Sequence, residues 1–94
     1  MKTYSVFTQL LTELNRFSKK NDNATVKYSD LVNINKVENR IITCYQSNCY
    51  SHNEYRILID LCYQLKSDMR EVVRINQEVK AIERKITRDR LKFA

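Results

Sequence analysis

Residues 69–86, MREVVRINQEVKAIERKI, decide how the rest of the chain is read. Taken at spacings of three and four they give Met69, Val72, Asn76, Val79, Glu83 and Ile86, a helical seam with an amide set into it. Followed backwards, the same spacing runs through Leu65, Cys62, Leu58 and Tyr55. This is a heptad with Tyr55, Cys62, Met69 and Asn76 at a and Leu58, Leu65, Val72 and Val79 at d. Beyond Val72 a second flank of Ile75, Ile82 and Ile86 widens and shifts the stripe. Nothing interrupts the pattern after Glu54, so one long helix is expected over about residues 54–92.

Two shorter periodic segments precede it. Val6, Phe7, Leu10, Leu11, Leu14 and Phe17 share a helical face, which places a helix over about residues 5–20. Ser5 or Thr3 suits its N-cap, and Lys19 and Lys20 suit its C-terminal dipole. Leu31, Ile34, Val37, Ile41, Ile42 and Tyr45 place a second helix over about residues 30–46, with Ser29 as its cap. QSNCYSHN, residues 46–53, reads as a loop, with Ser51 or Asn53 capping the long helix and Glu54 in its first turn. The 94 residues include no Gly and no Pro. Tight hairpins lean on Gly, so a β-rich fold is disfavoured, whereas helices joined by Asn- and Ser-rich loops need neither residue. The expected fold is all-α, one domain over residues 1–94, with two short helices packed on a long C-terminal one and a coiled-coil-like seam.

Length raises the question of what the seam faces. At 1.5 Å per residue the long helix spans roughly 57 Å and each short one roughly 24 Å. Laid end to end, the short helices just cover it; stacked side by side, they leave about half of it bare. The second layout calls for a partner chain, because a bare stripe of Val72, Ile75, Val79, Ile82 and Ile86 invites aggregation. Asn76 favours a homodimer or higher oligomer, since an amide at an a position fixes register by pairing across chains. The expected oligomer seam is Leu58, Leu65, Met69, Val72, Asn76, Val79 and Ile86. The competing reading has Asn76 at the edge of a shifted stripe, with Ile75 taking the buried place.

The formal net charge is +6. Residues 74–94 carry seven basic side chains against three acids, and residues 1–20 four against one. Arg84, Lys85, Arg88, Arg90 and Lys92 form a basic face fit for an acidic protein or for phosphates. A solvated helix face with i,i+4 pairs is the plainer account of the same charges. YSDLVNINKVENRIITCYQ, residues 28–46, can be cut into a helix-turn-helix at "NIN". It lacks the usual turn Gly, and one continuous helix fits its period better.

Cys44, Cys49, His52 and Cys62 are spaced C-x4-C-x2-H-x9-C, which matches none of the usual zinc patterns. No metal or cofactor is expected. Tyr45, Tyr50, Tyr55 and Tyr63 gather around the 46–53 loop, either roofing the core or offering a partner surface through Tyr45, Tyr50 and Tyr55. Without Gly there is no phosphate-binding loop, and with one His and no triad or carboxylate pair an enzyme is not expected.

No run of about 18 apolar residues suits a membrane span, and the N-terminus lacks a secretory pattern. An intracellular, cytoplasmic protein with free thiols is expected. Asn, Lys, Ile and Tyr make up about a third of the chain, a bias that AT-rich codons produce and that suits a phage or other virus. The leading expectation is a small interaction protein that binds and inhibits or remodels an intracellular protein or assembly. The alternatives are a dimeric nucleic-acid-binding regulator and a coiled-coil scaffold factor.

Overall fold

The computed structural model describes residues 5–92, with side chains described through Arg88. The chain forms α1 (Val6–Asp22), α2 (Tyr28–Gln46) and α3 (His52–Lys92). The helices pack on one another, and α3 touches both shorter ones. Among the described residues there is no strand.

Each helix begins by a local device. Ser5, extended at φ −62° and ψ 155°, caps α1 by accepting the Thr8 N–H on its Oγ at 3.2 Å. Ser51 and Glu54 form a reciprocal capping box on α3. The Glu54 N–H donates to Ser51 Oγ, and the Ser51 N–H to Glu54 Oε1, both at 3.2 Å; two otherwise orphaned donors are thereby satisfied. The start of α2 differs from expectation. Ser29 lies inside the helix, and Lys27 holds the cap position. Lys has no side-chain acceptor, so Asp30 does the capping from within the first turn, its Oδ2 accepting the Lys27 N–H at 2.9 Å.

Both turns between helices need a left-handed residue, and without Gly the chain uses Ala24 (φ 54°) and Asn48 (φ 59°). After α1, Thr25 N–H reaches Lys20 O at 3.0 Å and Ala24 N–H reaches Asn21 O at 3.1 Å. After α2, Cys49 N–H reaches Cys44 O and Asn48 N–H reaches Tyr45 O, each at 3.0 Å. These are paired Schellman closures. Asn takes the left-handed region readily, whereas at Ala24 the Cβ clash costs about 1–2 kcal/mol. That carbonyl is then used: Asn76 Nδ2 of α3 donates to Ala24 O at 3.2 Å. Val26, 4 % exposed, tucks the same loop into the core.

The core is a three-helix bundle built on only part of α3. Leu10 and Leu14 from α1, Ile34 and Ile41 from α2, and Leu58, Cys62 and Met69 from α3 are fully buried. Ion pairs tie the bundle's sides at 2.8 Å: Arg40 to Glu13 across α1 and α2, Lys66 to Glu38 across α2 and α3, and Lys20 to Asp30. Burial on α3 stops at Val73 and Asn76, and every residue from 77 to 88 is exposed.

The layout is therefore the side-by-side one. α1 has 17 residues, α2 19 and α3 41, and the molecule measures 65 × 26 × 16 Å. Its radius of gyration of 18.5 Å compares with about 13 Å for a compact chain of this length. The excess comes from residues 77–92, roughly 24 Å of helix standing clear of the bundle.

Candidate interaction surface

The sequence seam divides between two environments. Leu58, Leu65 and Met69 are at most 5 % exposed within the single chain, so α1 and α2 cover them and they do not line a contact between chains. Val72 is half-buried against the same core. Asn76 is half-buried and bonded to Ala24 O, so its amide is engaged by its own chain. Val79 and Ile86, the remaining seam positions, are 46 % and 49 % exposed, as are their flanking neighbours Ile75 (44 %) and Ile82 (58 %).

Ile75, Val79, Ile82 and Ile86 follow spacings of four, three and four, so they form one stripe along the projecting helix. The stripe is turned about a quarter-turn around α3 from the side that meets the bundle. Lys80, Arg84 and Arg88, three exposed cations at successive spacings of four, lie on the opposite side. Glu78 and Glu83 border the stripe, and Lys85 lies beyond Glu78 on the same border. Arg74 holds Glu71 and, at 2.6 Å, Glu78. The projection is thus an amphipathic helix with an apolar face and a basic face. Of the expected basic residues, Arg84, Lys85 and Arg88 are exposed there; Arg90 and Lys92 lie outside the described side chains.

Where the projection leaves the bundle, a notch of about 530 Å³ opens beneath the loop between α1 and α2, lined among others by Val26, Tyr28, Val73, Asn76, Val79 and Glu83. Tyr28 is 70 % exposed at its rim. A second groove, between α1 and α2, is lined by Arg16, Lys20 and Arg40, of which Lys20 and Arg40 are taken up by Asp30 and Glu13.

The tyrosines stand at the other end of the bundle. Tyr45 stacks on Tyr55 with ring centroids 4.2 Å apart and on Tyr50 at 6.4 Å, and its hydroxyl meets His52 Nδ1 at 3.0 Å. Tyr50 donates to the Ile41 carbonyl, and Tyr50 and Tyr55 both pack against the core. Burial, with nearby Cys44, Cys49 and Tyr55, pushes the Tyr50 hydroxyl up to about 12. This arrangement roofs the bundle end. Tyr63 is exposed farther along α3.

Two of the three cysteines, Cys44 and Cys62, offer little chemistry. Cys62 is inside the core, where burial and then Glu38 push its thiol up to about 11. Burial and the adjacent Cys49 also raise the Cys44 thiol. Both shifts oppose thiolate formation, which nucleophilic or metal-binding cysteines require. Among the described residues no three His, Cys, Asp or Glu side chains are grouped to hold a metal ion, and no helix is long and apolar enough to cross a membrane.

Comparison of the chain with protein-family profiles, with curated proteins and with solved structures finds no match.

Proposed function

We propose that this chain is a non-enzymatic interaction protein whose working element is the projecting half of α3. One observation carries the reading: the bundle ends near Asn76, yet the helix continues for roughly 24 Å with aliphatic side chains kept at helical spacing. A helix that only had to close the bundle would need no apolar stripe there. Aliphatic contact supplies affinity, and the Lys80, Arg84 and Arg88 face steers the molecule toward an acidic partner. Binding at this helix would occlude or remodel the protein or assembly that it meets.

The regular cation row favours a second reading, a nucleic-acid binder, because side chains four apart on a helix can follow a phosphate backbone. Salt separates the two. Immobilised wild type and Ile82→Asp are challenged with extract from the cells that naturally make the chain, and separately with random duplex DNA, over a salt series. The proposal expects a defined set of proteins held by wild type into moderate salt and lost with Ile82→Asp. DNA binding that falls steeply with salt, by about one unit of log–log slope per phosphate contact, and ignores Ile82→Asp would replace it with the second reading.

A further inference from the structure

We infer that the apolar stripe of the projecting helix is covered by a second copy of the chain, running antiparallel. The inference deepens the proposed function, resting on the projection as the binding element: the stripe pairs reversibly with a second copy until the partner protein displaces it, and the basic face stays outward throughout. The stripe's own spacing supports it. Turning one copy about a two-fold axis that passes between positions 80 and 81 sets Ile75 against Ile86 of the second copy and Val79 against Ile82 of the second copy. Every aliphatic residue of the stripe then meets another in a shared layer.

Charge chooses the direction. In the antiparallel arrangement Glu78 lies across the border from Lys85 of the second copy, and symmetry repeats that pair. A parallel arrangement would instead set Glu78 against Glu83 of the second copy, an acid against an acid. Arg74 already shares the Glu78 carboxylate at 2.6 Å, so reversing position 78 places two cations together as well as breaking the pair. The two-fold contact is self-complementary and closes, giving a dimer and no filament. Four half-exposed aliphatics per copy make a contact below about 1,200 Å² in total, the range of reversible association. The pairing also fixes a length. The two bundles lie at opposite ends, so the paired α3 helices alone span roughly 86 Å, against roughly 60 Å for the α3 of one chain.

The test combines sedimentation with small-angle scattering over a concentration series, for wild type, Glu78→Lys, Lys85→Glu and the double exchange. All four retain the core, since residues 78 and 85 are exposed. The expected result is a monomer–dimer equilibrium whose maximum dimension grows from the 65 Å of one chain to beyond roughly 86 Å. Each single exchange should weaken the dimer by about tenfold, and the double exchange should restore it to within about threefold of wild type. A monomer at every concentration overturns the inference. So does a dimer no longer than one chain, or one that Glu78→Lys strengthens, since either marks a parallel seam. The capture experiment reads separately: a monomer that still holds its partner through Ile82 defeats self-pairing alone, and an antiparallel dimer that captures nothing defeats the interaction-protein reading alone.

Discussion

Met69→Ala is expected to lower folding stability by about 3 kcal/mol, whereas Ile82→Ala on the same helix should change it by less than about 0.5 kcal/mol. Hydropathy does not distinguish the two sites; their surroundings do. Met69 is fully buried where α3 meets α1 and α2, so truncation removes its contacts and leaves a cavity that the bundle refills only in part. Ile82 is 58 % exposed, and truncating it forms no cavity within the chain. For a domain of this size the first loss is a large share of the total, since natural stabilities are about 5–15 kcal/mol. Urea denaturation followed by circular dichroism, at a concentration low enough to keep the chain monomeric, measures both. A cost at Ile82 approaching that at Met69 would mean that the projection is packed in the single chain.

Asp30→Asn is expected to cost about 2 kcal/mol at neutral pH, the scale of a buried charge-assisted hydrogen bond combined with a helix cap. Asp30 is 5 % exposed. It accepts from Lys20 Nζ at 2.8 Å and from the Lys27 N–H at 2.9 Å, so one carboxylate closes α1 onto the start of α2. Burial works to raise its pKa, but these donors outweigh burial and hold it below the usual carboxylate value. A lowered folded-state pKa gives stability that is fully present above the unfolded value of about 3.9 and is lost as pH falls through the folded one. The wild-type advantage over Asp30→Asn should therefore be flat near neutrality and shrink progressively below about pH 5. Thermal unfolding of the pair from pH 7 to pH 3 reads this directly. A constant gap across that range would remove the carboxylate charge from the account.

The helical class was legible because composition and periodicity agree: without Gly or Pro, three amphipathic segments leave few other folds. The Ser5 cap and the Ser51–Glu54 box could be read from residue type and spacing. The start of α2 could not, because Lys27 has no acceptor and the cap comes from Asp30 inside the helix. Nor could Ala24, since the left-handed position normally advertises itself as Gly or Asn.

The division of the seam was hidden for a different reason. A strict heptad advances 3.5 residues per turn, while a straight helix advances 3.6, so the two drift apart by about 20° per heptad. Starting together at Leu58, they have separated by Val72. The buried residue is Val73, and Val79, at a d position in the heptad, has turned to solvent. Spacing also says nothing about where α1 and α2 stop. Aliphatic residues at helical spacing serve as core up to Val73 and as open stripe from Ile75 onward. Asn76 marks the border by taking the Ala24 carbonyl, a contact across 52 positions of sequence that no local pattern announces.

The central claim is that α3 is one helix in two states of support, and amide hydrogen exchange along it is the most direct measurement. A helical stretch of about 16 residues without tertiary packing is marginal in water, even when its first turns are held by a folded bundle. At a concentration that keeps the chain monomeric, amides from Leu58 to Val73 should exchange slowly, near the rate set by global unfolding. Those beyond 77 should exchange orders of magnitude faster, and raising the protein concentration should protect the stretch around Ile75–Ile86. Uniform slow exchange from 58 to 88 in the dilute monomer would contradict the account, because it would show that the chain itself covers the whole of α3.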